Sequence, residues 1–449
     1  MKIPVLVTSE VRVDPQSGSA LGRVVLYGVA GLLLFGPLAF GGAEAWSIFA
    51  LEAGAALLFA LWAYWQVASG ELRVKSSPLF LPMLVFAALI GMQLATGHTS
   101  YRYQTGLQAE LYCAYGVLCF LVVQSLRRTS QVKFLARLFS AYGFALATFA
   151  LIQGIASNGK LYWLRTPRDG GWIYGPYVNH NHYAGLMEML VPIPLVVALL
   201  DSVPNSRKAL ASGAAGVMAT TIFLSGSRGG MVAFAVQVAI LAALLIKRRK
   251  GRRVALVLVA FLGLVAGMLL WLGGSELANR MASLRTDARS ELSGGTRLDI
   301  DRDALRIFRH KPILGWGLGT FPVIYPEYRS FYTDMFVNQA HNDYLQLLDE
   351  MGTLGFATML WFIGAAYYGA SKKLEGWTKD PNGAVAVAAM LGVTGILVHS
   401  LVDFNLQVPA NAALFYVLCV VAALEPRFGG FGHLRLRRPR PEVGGRLSA

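Results

Sequence analysis

Long apolar runs dominate the chain from about residue 22 to 273 and again from about 343 to 425, and short polar or charged stretches punctuate them. A helix needs about 20 mainly apolar residues to cross the hydrocarbon core of a bilayer. On that measure the pattern predicts about twelve spans. They lie near 22–42, 45–69, 78–97, 109–126, 133–155, 183–201, 207–226, 229–246, 253–273, 343–370, 382–402 and 407–425. The expected fold class is all-α: a polytopic integral membrane protein with one large, partly helical loop. It divides into nine helices within 1–273 behind a cytoplasmic N-terminus, a loop over 274–342, three helices within 343–426 and a basic tail over 427–449. No internal repeat of fixed period is visible.

Lysine and arginine orient these spans, because positive residues in short loops stay on the cytoplasmic side. With the N-terminus inside, six basic groups fall on that side. They are Arg73 with Lys75, the Arg127–Arg137 cluster, Arg207 with Lys208, the Lys247–Arg253 run, Lys372–Lys379 and the Arg435–Arg446 tail. The opposite side receives the loop around Arg102, the 156–182 segment, the Ser225–Gly230 turn, the 274–342 loop and the turn near Asp403. Every unusual polar motif lies on that outer side.

Composition agrees with this reading: 55% of the residues are hydrophobic, 14% are charged, and mean hydropathy is +0.50, against about 25% charged in an ordinary soluble domain. The net charge of +15 would suit nucleic acid if it formed one solvated face. Instead it sits at the ends of apolar runs, so topology and anionic lipid contacts account for it and no nucleic-acid partner is expected. Cys113, Cys119 and Cys419 all lie inside apolar runs, which argues against a disulfide framework or a metal knuckle. About twenty polar residues precede the first long apolar segment, so no cleaved signal peptide is expected.

Several outer-side motifs are candidates for chemistry. Between two apolar runs, Leu224–Gly230 makes a tight turn bearing Ser227 and Arg228. A charge at bilayer depth costs about 2.5–3.5 kcal/mol on insertion scales, so Arg228 either snorkels to the interface or holds an anion, and flanking glycines let a phosphate approach. In the large loop, Asp299, Asp301 and Asp303 are spaced like calcium ligands. That loop would need glycine and glutamate where Ala304 and His310 stand, so calcium is rejected. Read as a helix start, these aspartates suit the first turn, with Arg297 just before it. Gly315, Gly317 and Gly319 flank Trp316 and Leu318 without a following lysine, which excludes a nucleotide loop and favours a tight backbone turn.

The loop closes on Gln339, Ala340, His341, Asn342, Asp343 and Tyr344, where it re-enters an apolar run. Histidine titrates near neutral pH and serves as a general base within reach of a hydroxyl, so His341 is either a boundary residue of the fold or a catalytic one. Two further outer clusters carry polar side chains: Asn179 with His182, and His399, Asp403 and Asn405. The first has no carboxylate or cysteine beside it in the chain, as a metal site would need, and no metal is expected.

Taken together, Ser227 and Arg228, Thr296 and Arg297, Gly315–Gly319, and the His341–Leu345 stretch resemble the O-antigen ligase and polymerase superfamily of bacterial membrane glycosyltransferases. The resemblance implies a multi-pass enzyme of the inner membrane with its active site facing the periplasm. Its donor is a glycan carried on undecaprenyl diphosphate, its acceptor lipid A core or another glycan, and it uses no cofactor or metal. Carried onto this chain, Arg228 and Arg297 would bind the diphosphate and His341 would take the acceptor proton. Asn179, His182, Ser227, Asn342, Asp343, His399 and Asp403 would support them or touch substrate. O-antigen ligation is the expected reaction, with polymerisation as the alternative. A transporter is a more remote one: glycine-interrupted spans and intramembrane charge also mark substrate pathways, but few polar residues besides Glu52 and Glu188 lie near mid-span here.

Overall fold

The structure, a computed structural model, describes residues 20–70, 72, 74–166, 173–246, 261–263, 265–267, 269, 294–333 and 336–424. The expected span near 253–273 is almost entirely outside these residues, as are the Lys247–Arg253 run, the first part of the large loop and the basic tail. Among the described residues the protein is helical, with no strand beyond two isolated bridges, Leu161 to Arg165 and Tyr174 to Tyr177. In chain order the helices are α1 (Ala20–Leu38), α2 (Ala45–Ala68), α3 (Phe80–Thr96), α4 (Arg102–Ser125), α5 (Thr129–Ile155), α6 (His180–Leu190), α7 (Pro192–Ala198), α8 (Asn205–Leu224) and α9 (Arg228–Ile246). After the large loop's α10 (Gly294–His310) and α11 (Phe321–Tyr328) come α12 (Asp343–Ser371), α13 (Pro381–His399) and α14 (Pro409–Ala423).

Six of these, α1, α2, α4, α5, α9 and α13, are long and apolar enough to cross a membrane, and α3 and α14 are apolar but shorter at 17 and 15 residues. The protein is therefore a multi-pass membrane protein. The sequence pattern anticipates one span at 183–201, but two short helices stand there, because Pro192 and Pro194 lack amide hydrogens and interrupt the ladder after Val191. Of the six, α13 is the most enclosed, with 67% of its apolar window buried against 22% for α2. It lies at the centre, packed on α6, α7, α9 and α14, while α2 presents its side chains outward, as a lipid-facing helix does.

The large loop has its own small core. Ile300, Ala304 and Ile307 of α10 pack on Phe321, Ile324 and Tyr325 of α11 and on Val337 and Ala340. The loop is fastened to the bundle through a break in α12. At Gly352 the backbone takes φ 62° and ψ −168°, leaving the helix for a single residue. The carbonyls and amides released there are satisfied by the Pro312–Gly317 segment. The amides of Trp316 and Gly317 donate to Asp349 O (2.9 Å) and Glu350 O (3.0 Å), and Thr353 N–H donates to Pro312 O (2.8 Å). Gln93 of α3 donates to Leu314 O (2.7 Å) and Glu350 O (2.9 Å), while the Glu350 carboxylate accepts Gly319 N–H at 2.7 Å. The alternating glycines thus form a turn that seals this break.

A side chain at position 352 would collide with the carbonyl oxygen of Ile313, a backbone atom that cannot move aside, in a conformation that L-residues avoid. Gly352→Ala is therefore expected to cost at least about 1–3 kcal/mol and to lower Tm of the purified protein measurably. Gly364→Ala, on the same helix with nothing within 4 Å of the added carbon, is expected to leave Tm unchanged. Equal Tm for both variants would contradict the role given to the break.

Candidate functional site around the turn after helix α13

The turn joining α13 to α14 gathers most of the polar side chains singled out in the sequence. Two helix starts face it. Asn179 caps α6 by accepting Asn181 N–H at 2.8 Å, which sets His182 in the first turn. Asn342 caps α12, its side-chain oxygen accepting the amides of Tyr344 (3.1 Å) and Leu345 (3.3 Å). Immediately before that cap, His341 has φ 55°, a left-handed backbone that non-glycine residues adopt only at an energetic cost.

The two imidazoles flank one carboxylate. His341 Nδ1 is 4.0 Å from Asp403 Oδ1, and His182 Nε2 is 3.8 Å from the same oxygen. Both separations exceed a hydrogen bond, so these are ionic contacts. The ring of Phe404 meets both histidines edge to face, with centroids 4.8 Å from His341 and 4.7 Å from His182. The Asp403 side chain is 1% exposed, whereas His341 and His182 keep 15% and 12%, so the histidines alone reach solvent. Burial by itself would raise the Asp403 carboxyl, but contact with His182 and the proximity of the His399 and His341 imidazoles hold it well below the usual carboxylate range. A fixed anion beside Nδ1 of His341 favours the arrangement in which Nε2 is the nitrogen left to take up a proton.

Arg297, in the first turns of α10, donates from Nη1 to Val402 O at 3.0 Å. Its buried Nε has no hydrogen-bond partner among the described residues, so the guanidinium retains donor capacity for an anion. Asp301, one turn further along α10, is pushed up to about 6, chiefly by burial and against the pull of its hydrogen bond with Asn342 and the charge of Arg297. Asp343 is committed to the fold. Its carboxylate accepts Ser400 Oγ (2.7 Å), Leu406 N–H (3.0 Å) and Gln407 Nε2 (3.2 Å), and its own amide donates to Ser400 O (3.0 Å).

Ser227 reaches the same region through His399, whose Nε2 lies 3.3 Å from Ser227 Oγ. Arg228 is the exposed first residue of α9, next to Ser227. The described contacts therefore bring His182, Arg297, His341 and Asp343 directly to residues 400–407, and Ser227 to His399 at the end of α13, with Arg228 as Ser227's neighbour in the chain. Three participants are not evident as site residues from the sequence. Phe404 and the Val402 carbonyl carry no chemical signal of their own. Glu188, bonded to His399 Nδ1 at 2.8 Å, does carry one: an acid inside an apolar helix is usually functional or paired. No group of three or more metal-ligating side chains converges among the described residues.

The raised Asp301 carboxyl gives a pH test. Its folded value of about 6 lies above the ordinary aspartate value of about 3.9. The folded state then binds more protons between these limits, and the stability this group contributes is complete below about pH 4 and lost as pH rises through about 6. Relative to the parent protein, Asp301→Asn should gain stability between pH 5 and pH 7, on the order of 1 kcal/mol once solvent screening of this half-buried group is allowed for. The gain is read as a flatter dependence of Tm on pH. Parallel curves for the two proteins would refute this.

A search of the curated proteins finds no match to the chain. Residues 213–360 match the family model described as O-Antigen ligase, a stretch of about one third of the chain. It runs from within α8 to within α12 and holds Ser227, Arg228, Arg297, His341, Asn342 and Asp343, while His182, His399 and Asp403 lie outside it. That match, with apolar helices suited to a membrane and a polar site at one turn, supports a likeness between residues 213–360 and the O-antigen ligase and polymerase superfamily of glycosyltransferase-like membrane enzymes.

Proposed function

We propose that this protein transfers a glycan from undecaprenyl diphosphate to a hydroxyl acceptor at the periplasmic face of the bacterial inner membrane, with O-antigen ligation to lipid A core as the reaction. The observation that carries this reading is the setting of His341. A strained backbone holds the imidazole against a buried carboxylate, on the same turn to which Arg297 is bonded.

In the proposed step the acceptor hydroxyl oxygen attacks the anomeric carbon of the donor sugar. The bond from that carbon to the diphosphate oxygen breaks, the hydroxyl proton passes to His341, and undecaprenyl diphosphate leaves with the bonding electrons. Asp403 stabilises the imidazolium that forms. Arg297 and Arg228 oppose the charge accumulating on the departing diphosphate, for which guanidinium forks are well shaped. That charge neutralisation is why the reading includes neither a metal nor a cofactor. Asn179, Asn342 and Asp343 act by fixing the two helix starts and the turn.

The test supplies purified protein with a diphosphate-linked glycan and lipid A core. Modified lipid A core is the expected product; a lengthened glycan instead would identify a polymerase built on the same site. Neither product would overturn transfer and direct attention to transport. His341→Ala is expected to lower turnover by about 10²–10⁴, the range for a lost general base, with folding and membrane insertion intact; near-normal turnover would remove His341 from the role. Arg228→Lys should weaken donor use, because an ammonium offers no fork, and full donor binding in that variant would mean a simple electrostatic pocket.

A further inference from the structure

Beneath the first turn of α9 lies a hydrogen-bonded chain of three buried polar side chains that the proposed chemistry does not use. Glu188 Oε1 accepts His399 Nδ1–H at 2.8 Å, and His399 Nε2 lies 3.3 Å from Ser227 Oγ. Glu188, His399 and Ser227 are 0%, 1% and 0% exposed. The order Ser–His–Glu resembles a nucleophile with its base and orienting acid. Ser227 has no surface through which a substrate could arrive, however, and its oxygen already accepts the amide of Gly230 at 3.2 Å. Its role is that of a helix cap, satisfying one of the free amides at the start of α9.

The backbone lies directly on this chain. A Cβ at Gly229 would stand 2.7 Å from His399 Nε2 and 2.9 Å from Val402 Cγ2, and one at Gly230 would stand 2.9 Å from Glu188 Oε1. Both are closer than carbon atoms tolerate, so the two glycines let the start of α9 rest on the acid–imidazole pair. With Nδ1–H given to Glu188, His399 Nε2 accepts the Ser227 hydroxyl proton, and the serine lone pairs stay free for Gly230. Donor and acceptor are then matched at both the Glu188–His399 and the His399–Ser227 contact. The residue that immediately precedes this glycine pair and comes directly after Ser227 is Arg228.

We infer that Glu188 and His399 are positioning residues for Arg228: they fix the cap and first turn of α9, and so aim the guanidinium at a diphosphate. The inference rests on the proposed reading of Arg228 as a diphosphate ligand. It assigns His399 a task distinct from that of His341 and His182. Those two keep solvent-accessible edges, whereas His399 is buried against Glu188 of α6 and the start of α9.

The experiment is a double-mutant cycle on full-length protein in nanodiscs, reading the affinity for undecaprenyl diphosphate, which binds without reacting. His399→Ala is expected to weaken binding about 10–100-fold, the range commanded by partners behind a ligating residue, with the KM for the acceptor unchanged. Arg228→Ala should weaken it at least as much. The double variant should be no weaker than Arg228→Ala alone, because residues acting through one another do not add. Glu188→Gln, which keeps a hydrogen-bond acceptor, should stay within a few-fold of the parent. If His399→Ala does not fold, Ser227→Ala, which removes only the hydroxyl, takes its place in the cycle.

Additive losses, or unchanged affinity in His399→Ala, would overturn the positioning role. If His341→Ala still abolishes turnover in that case, the transfer reading stands alone. Failure of the parent protein to bind undecaprenyl diphosphate would overturn both.

Discussion

The buried carboxylate of Asp403 is the contact on which the polar architecture depends. A charge enclosed at the end of a membrane helix is tolerated only where opposite charge and hydrogen-bond donors surround it. Here the neighbours are the imidazoles of His182 and His341, contributed by α6 and by the approach to α12, with His399 nearby and the amide of Phe404 bonded at 2.8 Å. Meeting that requirement draws three distant parts of the chain to one turn. The histidines keep an accessible edge because the carboxylate, not they, occupies the buried position.

A second acid performs the matching task for the backbone. Asp343 accepts three hydrogen bonds from the Ser400–Gln407 stretch and donates its amide back to Ser400, so the start of α12 is fastened to the turn after α13. Two residues earlier, the left-handed backbone of His341 persists because the Asn342 cap and the Asp343 clamp anchor the first turn of α12 directly behind it. Strain of this kind is retained where the surroundings over-determine it, and it marks places where a side chain's direction matters. The break at Gly352 then allows the large loop to be sewn into the bundle through Gln93 and Glu350, which holds α10 and its Arg297 over the turn.

Much of this architecture is legible in the chain. Apolar runs of the right length lie where α1–α5, α9, α13 and α14 stand, and the proline pair at 192 and 194 is itself a signal that the run at 183–201 breaks. The glycines at 315, 317 and 319 announce a tight turn, but their partner, the opened helix at Gly352, stays hidden: a lone glycine in an apolar run more often signals close packing. At the site the residue types stand out, since the chain has only seven histidines and is 14% charged. Their pairing does not. Asp343 and Asp403 carry the same side chain; only burial and neighbours make one a backbone clamp and the other the carboxylate that two histidines flank.

The class of molecule and the short set of residues available for chemistry were therefore determined by the sequence alone, because hydrophobic length and the rarity of charge are properties of the chain. The tertiary structure alone decided which of those residues meet. His182, Ser227, Arg297, His341 and Asp403 are separated by tens to hundreds of positions, and no local periodicity relates them. Their meeting depends on how α6, α9, α10 and α12 pack around the end of α13, where buried charge and backbone polar groups must find partners because water is absent.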